Sequence, residues 1–122
     1  MGLKVLLIDD SSVMRKMVAR SLRQAGVDVS NTDEASNGLE GLQALQGSEV
    51  DVVLCDWNMP EMNGIDFVRE ARKSHQTPII MVTTEGSEER VAEAMSAGAD
   101  GYITKPFTPE QLGAKIDLVV NS

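Results

Sequence analysis

Short apolar runs alternate with amphipathic stretches along the whole chain. Residues 4–8, 51–55, 78–82 and 101–104 read as strands, and residues 28–31 with their flanks as a fifth. Val5-Leu6-Leu7-Ile8, Val52-Val53-Leu54-Cys55 and Ile79-Ile80-Met81-Val82 are unbroken apolar runs, the pattern of strands covered on both faces of a parallel sheet. The run at 28–31 is more polar and reads as an edge strand with poorly marked limits. Between the runs, apolar residues recur with helical period: Met14, Met17, Val18, Leu22 and Ala25; Leu39, Leu42 and Leu45; Ile65, Val68 and Ala71; Val91, Ala94 and Met95; Leu112, Ile116, Val119 and Val120. Punctuation agrees with this division. Gly26 and Gly98 fall where C-terminal caps belong, and Asn37 with Glu40 can open the second helix. Thr108, Pro109 and Gln111 spell a capping box with proline at the first helical position.

Strict alternation of strand and helix predicts an α/β fold, a doubly wound (βα)5 parallel sheet with helices on both faces. The chain has 122 residues, the length of one ordinary domain, and no linker, repeat or low-complexity tract divides it, so a single domain over residues 1–122 is expected. It ends just past the fifth helix, and no output domain is expected. No apolar run reaches eighteen residues and no basic segment precedes a long apolar one, so neither a membrane span nor a signal peptide is expected. The lone cysteine, Cys55, has no partner for an internal disulfide, which fits a reducing cytoplasm. A net charge of −8 disfavours nucleic acid as a partner.

The chemistry gathers at the ends of the apolar runs. Asp9 and Asp10 close the first, Asp56 closes the third, Thr83 closes the fourth and Lys105 follows the fifth. In open α/β sheets, ligands bind beyond the carboxyl ends of the strands. Two carboxylates about 4 Å apart repel by about 4 kcal/mol at an effective dielectric of about 20. A fold that gathers three of them needs a cation, and hard, oxygen-seeking Mg²⁺ suits such a set. A carboxylate can also accept a phosphoryl group as an aspartyl phosphate, with an ammonium and a hydroxyl taking up the charge on the phosphoryl oxygens.

These residues carry a resemblance over the whole chain. Ile8-Asp9-Asp10-Ser11-Ser12, Asp56-Trp57-Asn58-Met59-Pro60-Glu61-Met62-Asn63-Gly64, Met81-Val82-Thr83-Thr84-Glu85 and Gly101-Tyr102-Ile103-Thr104-Lys105-Pro106-Phe107 resemble the landmarks of two-component response regulator receiver domains, and most of all the single-domain chemotaxis members. The resemblance implies the flavodoxin-like fold with strand order 2-1-3-4-5. It implies that Asp56 accepts phosphate from a phosphohistidine of a histidine kinase. Asp10 and Asp56 would bind Mg²⁺ by their carboxylates, Asn58 by its backbone carbonyl, and Asp9 through water. Lys105 would pair with the phosphoryl group, Thr83 would move to bond it, and Tyr102 would turn inward. The side chains of Asn58 and Glu85 would tune dephosphorylation. The surface of the fourth helix, fifth strand and fifth helix would then bind a target such as a flagellar switch component, with a phosphatase as a further partner and the chain itself a monomer. A cis peptide is implied at Lys105-Pro106.

Two departures stand out. Asn63 sits where the family often has Asp, and Ser87-Glu88-Glu89 opens the fourth helix with acids where motor-binding regulators often carry lysines. A phosphorelay or phosphate-sink regulator is therefore an alternative within the family. A small phosphatase with an Asp nucleophile is a rival of another class, but such enzymes place their acids as Asp-x-Asp after the first strand. A flavin module of the same topology needs a phosphate-binding loop there, which Asp9-Asp10 would repel. The expected output is binding, not turnover. Trp57 is expected at the rim of the site, Cys55 in the core on the side opposite Asp56, and the methionines of the first helix in the core.

Overall fold

The computed structural model describes residues 2–121. Ten elements alternate: β1 (Leu3–Ile8), α1 (Ser12–Gln24), β2 (Val29–Ala35), α2 (Gly38–Gly47), β3 (Val52–Cys55), α3 (Gly64–Ala71), β4 (Ile79–Thr83), α4 (Glu88–Ala97), β5 (Gly101–Thr104) and α5 (Pro109–Val120). The strands form one parallel sheet in the order β2-β1-β3-β4-β5, the flavodoxin-like arrangement. The apolar runs β1, β3 and β4 occupy its centre, and the polar β2 lies at an edge.

Strand residues alternate between faces, and each face has its own core. Leu6, Ile8, Val53, Cys55, Ile79 and Met81 pack with Leu45, Ile65, Phe67, Val68 and Ala94 beneath α2, α3 and α4. Val5, Leu7, Val52, Leu54, Ile80, Val82 and Ile103 pack with Val18, Leu22, Leu112 and Ile116 beneath α1 and α5. Cys55 therefore points away from the side that its neighbour Asp56 shares with Leu54 and Val52, as alternation requires.

Helix ends follow the capping rules. Ser11, Asn37, Asn63, Ser87 and Thr108 each accept a backbone N–H in the first turn, and Thr108 with Gln111 completes the capping box. The departure at Asn63 is mild for that reason, since Asn and Asp cap equally well. Glu88 and Glu89 lie in the first turn of α4, where the helix dipole favours acids.

Several sequence expectations need correction. β2 begins at Val29 and runs to Ala35, later and longer than residues 28–31. Its length is dictated by pairing with β1, from Leu3↔Val29 to Ile8↔Ala35, which its polar composition does not advertise. The helical stripes are also narrower than the apolar pattern. Met17 of α1 is exposed, because Val18 and Leu22 define the buried line and Met17 falls to one side of it. Leu39 is exposed in α2, where Gly38, Gly41 and Leu45 form the packed face, and Met95 is exposed in α4, where Ala94 alone is buried. Trp57 is 5% exposed and belongs to the core under α2, α3 and α4, not to the rim, because burying its large ring outweighs the pull of its single N–H toward water.

The loop between β3 and α3 returns tightly to its origin. The Gly64 N–H donates to the Trp57 carbonyl at 2.8 Å. A Cβ on Gly64 would lie 2.2 Å from the backbone oxygen of Asp56 and 2.8 Å from Cε of Met81. Only glycine lets the chain pass this close to the residue at the end of β3. Gly64→Ala is expected to lower stability by about 1–3 kcal/mol, the usual range for forced overpacking, as measured by urea unfolding. An unchanged midpoint would show that the loop yields without cost.

Candidate functional site

Parity brings three of the predicted residues together. Asp9 continues the face of Val5 and Leu7, Asp56 that of Val52 and Leu54, and Lys105 that of Ile103. β1 and β3 are paired neighbours, with Ile8 opposite Cys55 and the Asp56 N–H on the Ile8 carbonyl at 2.9 Å. The two acids that follow these strands must therefore share one rim. Asp9, Asp10 and Asp56 each offer a carboxylate oxygen, and the three oxygens lie within 4.8 Å of one another. Asp9 is buried, Asp56 is half-buried and Asp10 is exposed.

Lys105 enters the same rim from the end of β5. Its Nζ donates to Asp9 Oδ2 at 3.1 Å and stands 3.6 Å from Asp56 Oδ2. The Lys105 N–H donates to the Thr83 carbonyl at 2.9 Å, which locks the end of β5 to the end of β4. The Lys105-Pro106 peptide is cis, as the resemblance implied. Asp9 is held at every polar atom: its N–H on Ala35, its Oδ1 by the Ser11 N–H at 2.9 Å, its Oδ2 by Lys105, and its carbonyl by Arg15 Nη1 at 2.5 Å. Asp56 Oδ1 accepts the Trp57 N–H at 2.7 Å, and Oδ2 faces Lys105.

The balance of charge leaves Asp56 uncomfortable. Burial holds its carboxyl above the ordinary value of 3.8, and the Asp9 charge adds to the rise, while Lys105, the Trp57 N–H and the Thr83 hydroxyl oppose it. One ammonium does not offset the crowded acids. Burial first, then the charges of Asp56 and Asp9, push the Cys55 thiol well above its usual range, which leaves it an inert core residue.

Thr83 is fully buried with its hydroxyl beside Asp56, whereas Thr84 is exposed. Its Oγ1 accepts the Glu85 N–H at 3.3 Å, and the Glu85 carbonyl accepts the Tyr102 hydroxyl. One peptide segment thus ties Thr83 to Tyr102. Asn58 Nδ2 donates to Glu85 Oε1 at 3.3 Å across the mouth of the site. Tyr102 lines an open groove of about 410 Å³ with Val91, Met95, Thr104 and Lys115 on the α4, β5 and α5 side.

Two cations near the site escaped the sequence reading. Arg15 reaches back from α1 to Asp9 and pairs with Glu34 at 2.7 Å. A cation in the first turn of a helix that lacks acids there runs against the dipole rule, and that anomaly was its signal. Arg90 of α4 sits over the Trp57 ring, 5.0 Å from its centre. Nothing in the sequence pointed to it.

The comparisons with known proteins agree with this geometry. The family model described as the response regulator receiver domain matches residues 5–117. The chain belongs to the response regulator receiver domain family. Among similar receiver proteins, a chemotaxis protein CheY homolog of Campylobacter jejuni is 44% identical, with 98% of this chain and 94% of that protein covered. The chemotaxis protein CheY1 of Helicobacter pylori is 40% identical, with 98% of each covered. The solved structure of Vibrio cholerae CheY4 superposes with a TM-score of 0.86 at 40% identity, covering 98% of this chain and 99% of that one. The receiver fold, two-component signalling and the chemotaxis-type relatives thus stand together, and the family consists of signalling switches, not classical turnover enzymes.

The raised Asp56 carboxyl has a measurable consequence. Because its folded pKa lies above its unfolded one, the folded state holds the proton more tightly, and this group's contribution to stability falls as pH rises through that window. At neutral pH the ionised carboxylate is a liability. Asp56→Asn is therefore expected to raise the melting temperature in chelator at about pH 7, with the gain shrinking as the pH falls toward about 4. A lower melting temperature for the variant at neutral pH would contradict the assignment.

Proposed function

We propose that this receiver domain, spanning residues 1–122, is a phosphoacceptor switch that takes a phosphoryl group from a histidine kinase onto Asp56 and signals through protein contact. The observation that carries this reading is the pairing of Asp56 Oδ2 with Lys105 at 3.6 Å beside two further carboxylates. The donor set fits Mg²⁺: clustered hard oxygens, one of them on an exposed side chain open to water, with less positive charge than negative around them. Asp9, Asp10 and Asp56, with the backbone carbonyl of Asn58, would hold the ion. Both Asp9 oxygens are already engaged by Ser11 and Lys105, which suits a contact through water. Bound Mg²⁺ supplies neutralisation of the phosphoryl oxygens and of the acids.

The protein's own groups divide the remaining work. The Trp57 N–H occupies Asp56 Oδ1 and orients the carboxylate, leaving Oδ2 as the attacking oxygen. The new O–P bond forms as the P–N bond of the phosphohistidine breaks and the imidazole departs with its electron pair. Lys105 shifts from Asp56 toward the incoming oxygens, holding charge that the carboxylate alone cannot bear. Thr83 turns its hydroxyl to the phosphoryl group. Its link through the Glu85 peptide then pulls on Tyr102, whose inward turn alters the α4, β5 and α5 surface. Asn58 and Glu85, joined across the mouth, control the approach of water and so the rate of dephosphorylation.

The role is read as chemotaxis, in line with the names of the relatives, and the target as a flagellar switch component. The acidic first turn of α4, Glu88 and Glu89, favours a second reading as a relay or phosphate sink. Co-purification with and without beryllofluoride separates the two by the partner recovered. A phosphatase is a further partner, the chain acts as a monomer in the cytoplasm, and the described residues include no helix long and apolar enough to cross a membrane.

Treated with acetyl phosphate and Mg²⁺, the wild type should gain an acid-stable, base-labile phosphoryl mass, and Asp56→Asn should gain none while remaining folded. An equal mass gain in the variant would remove Asp56 from the role. Lys105→Ala should bind Mg²⁺ at least as tightly, since a competing cation is gone, yet fail to alter the environment of Tyr102 on phosphorylation. Loss of Mg²⁺-dependent Trp57 quenching in that variant would count against the division of labour between acids and lysine.

A further inference from the structure

Arg15 is a charged residue near the site that the phosphoacceptor chemistry leaves without a task. It lies in the opening turns of α1, where the helix dipole repels a cation and no acid of the first turn balances it. Its side chain is nonetheless only 15% exposed and committed at two points. Nη1 donates to the Asp9 carbonyl at 2.5 Å, and Nε donates to Glu34 Oε1 at 2.7 Å. Arg15 also lines the same recess as Asp9 and Asp56, on the α1 side of the sheet.

The Asp9 carbonyl belongs to the peptide that leads into Asp10. Every other polar atom of Asp9 is fixed by Ala35, Ser11 or Lys105, so Arg15 completes the set and sets the tilt of that peptide. Asp10 is the one exposed carboxylate of the three, and its direction depends on the backbone from which it projects. Mg²⁺ demands near-ideal octahedral geometry at short distances, so a small tilt matters. A rigid guanidinium fork can hold the carbonyl and Glu34 at once, which a lysine ammonium on a flexible stem does not reproduce.

We propose that Arg15 is a positioning residue for the cation site, clamping the Asp9–Asp10 peptide against Glu34 so that the Asp10 carboxylate is preset for a divalent ion. This rests on the reading of Asp9, Asp10 and Asp56 as an Mg²⁺ site. Simple electrostatics makes the opposite forecast, because removing a positive charge beside three acids should tighten cation binding. The sign of one measurement therefore decides.

Mg²⁺ is titrated into the wild type, Arg15→Met, Arg15→Lys and Asp10→Ala, followed by Trp57 fluorescence and independently by calorimetry, with melting in chelator as the check on folding. Arg15→Met is expected to weaken Mg²⁺ about tenfold, the loss typical of an outer-shell partner. Arg15→Lys keeps the charge and the fold but lacks the fork, and it should also weaken binding. Unchanged or tighter binding in Arg15→Met, or wild-type affinity in Arg15→Lys, overturns the proposal. Should Arg15→Met fail to fold, Arg15→Lys decides alone. A wild type that binds no Mg²⁺, or an Asp10→Ala variant that binds as tightly as wild type, sinks the underlying site and this inference with it.

Discussion

Like charge held at close range is the constraint on which this molecule turns. Asp9, Asp10 and Asp56 put carboxylate oxygens within 4.8 Å of one another, and Lys105 reaches two of the three. The sheet makes the crowding unavoidable. β1 and β3 are neighbours, their last residues are in register, and Asp9 and Asp56, which directly follow them, share one side of the sheet. The apolar burial that builds two cores from alternate strand residues thus supplies the free energy that keeps the acids together. The site stores an unfavourable interaction that a divalent ion, a proton or a rearranged lysine can relieve.

In the proposed switch, that stored repulsion supplies the leverage. Asp56 is held between burial and Asp9 on one side and Lys105, Trp57 and Thr83 on the other, so its charge state and any group attached to it change the balance of the whole rim. The consequences have defined routes outward. Thr83 is bonded to the Glu85 peptide, which carries Tyr102, and the Trp57 ring lies under Arg90 of α4. Both routes end on α4 and β5, beside an open groove. A local exchange of charge partners is thereby connected to a surface by contacts between rigid elements.

Much of this was legible in the residues before the fold was known. Unbroken apolar runs marked β1, β3 and β4 as central, and the Thr108-Pro109-Gln111 signal placed α5, because burial on both faces and helix capping are local in sequence. The strand-end acids, Thr83 and Lys105 were readable because position after a strand maps onto one rim of a parallel sheet. What stayed hidden depends on partners distant in the chain. β2 extends to Ala35 only because β1 is there to pair with it. Met17, Leu39 and Met95 look like core in a helical pattern, yet Val18, glycines and Ala94 take the contacts. Trp57 was expected at the rim and is buried, in a cluster it shares with residues of α2, α3 and α4. Arg15 and Arg90 acquire meaning only through Asp9, Glu34 and the Trp57 ring.

The most direct test of crowded acids awaiting a counterion is the melting temperature of the wild type in chelator against the same protein in Mg²⁺, at matched ionic strength. Binding to the folded state alone should stabilise it, by about 2.7 kcal/mol when Mg²⁺ stands at about a hundred times its dissociation constant, and a monovalent salt should not. A melting temperature that Mg²⁺ leaves unchanged, or that monovalent salt raises just as far, would contradict the account.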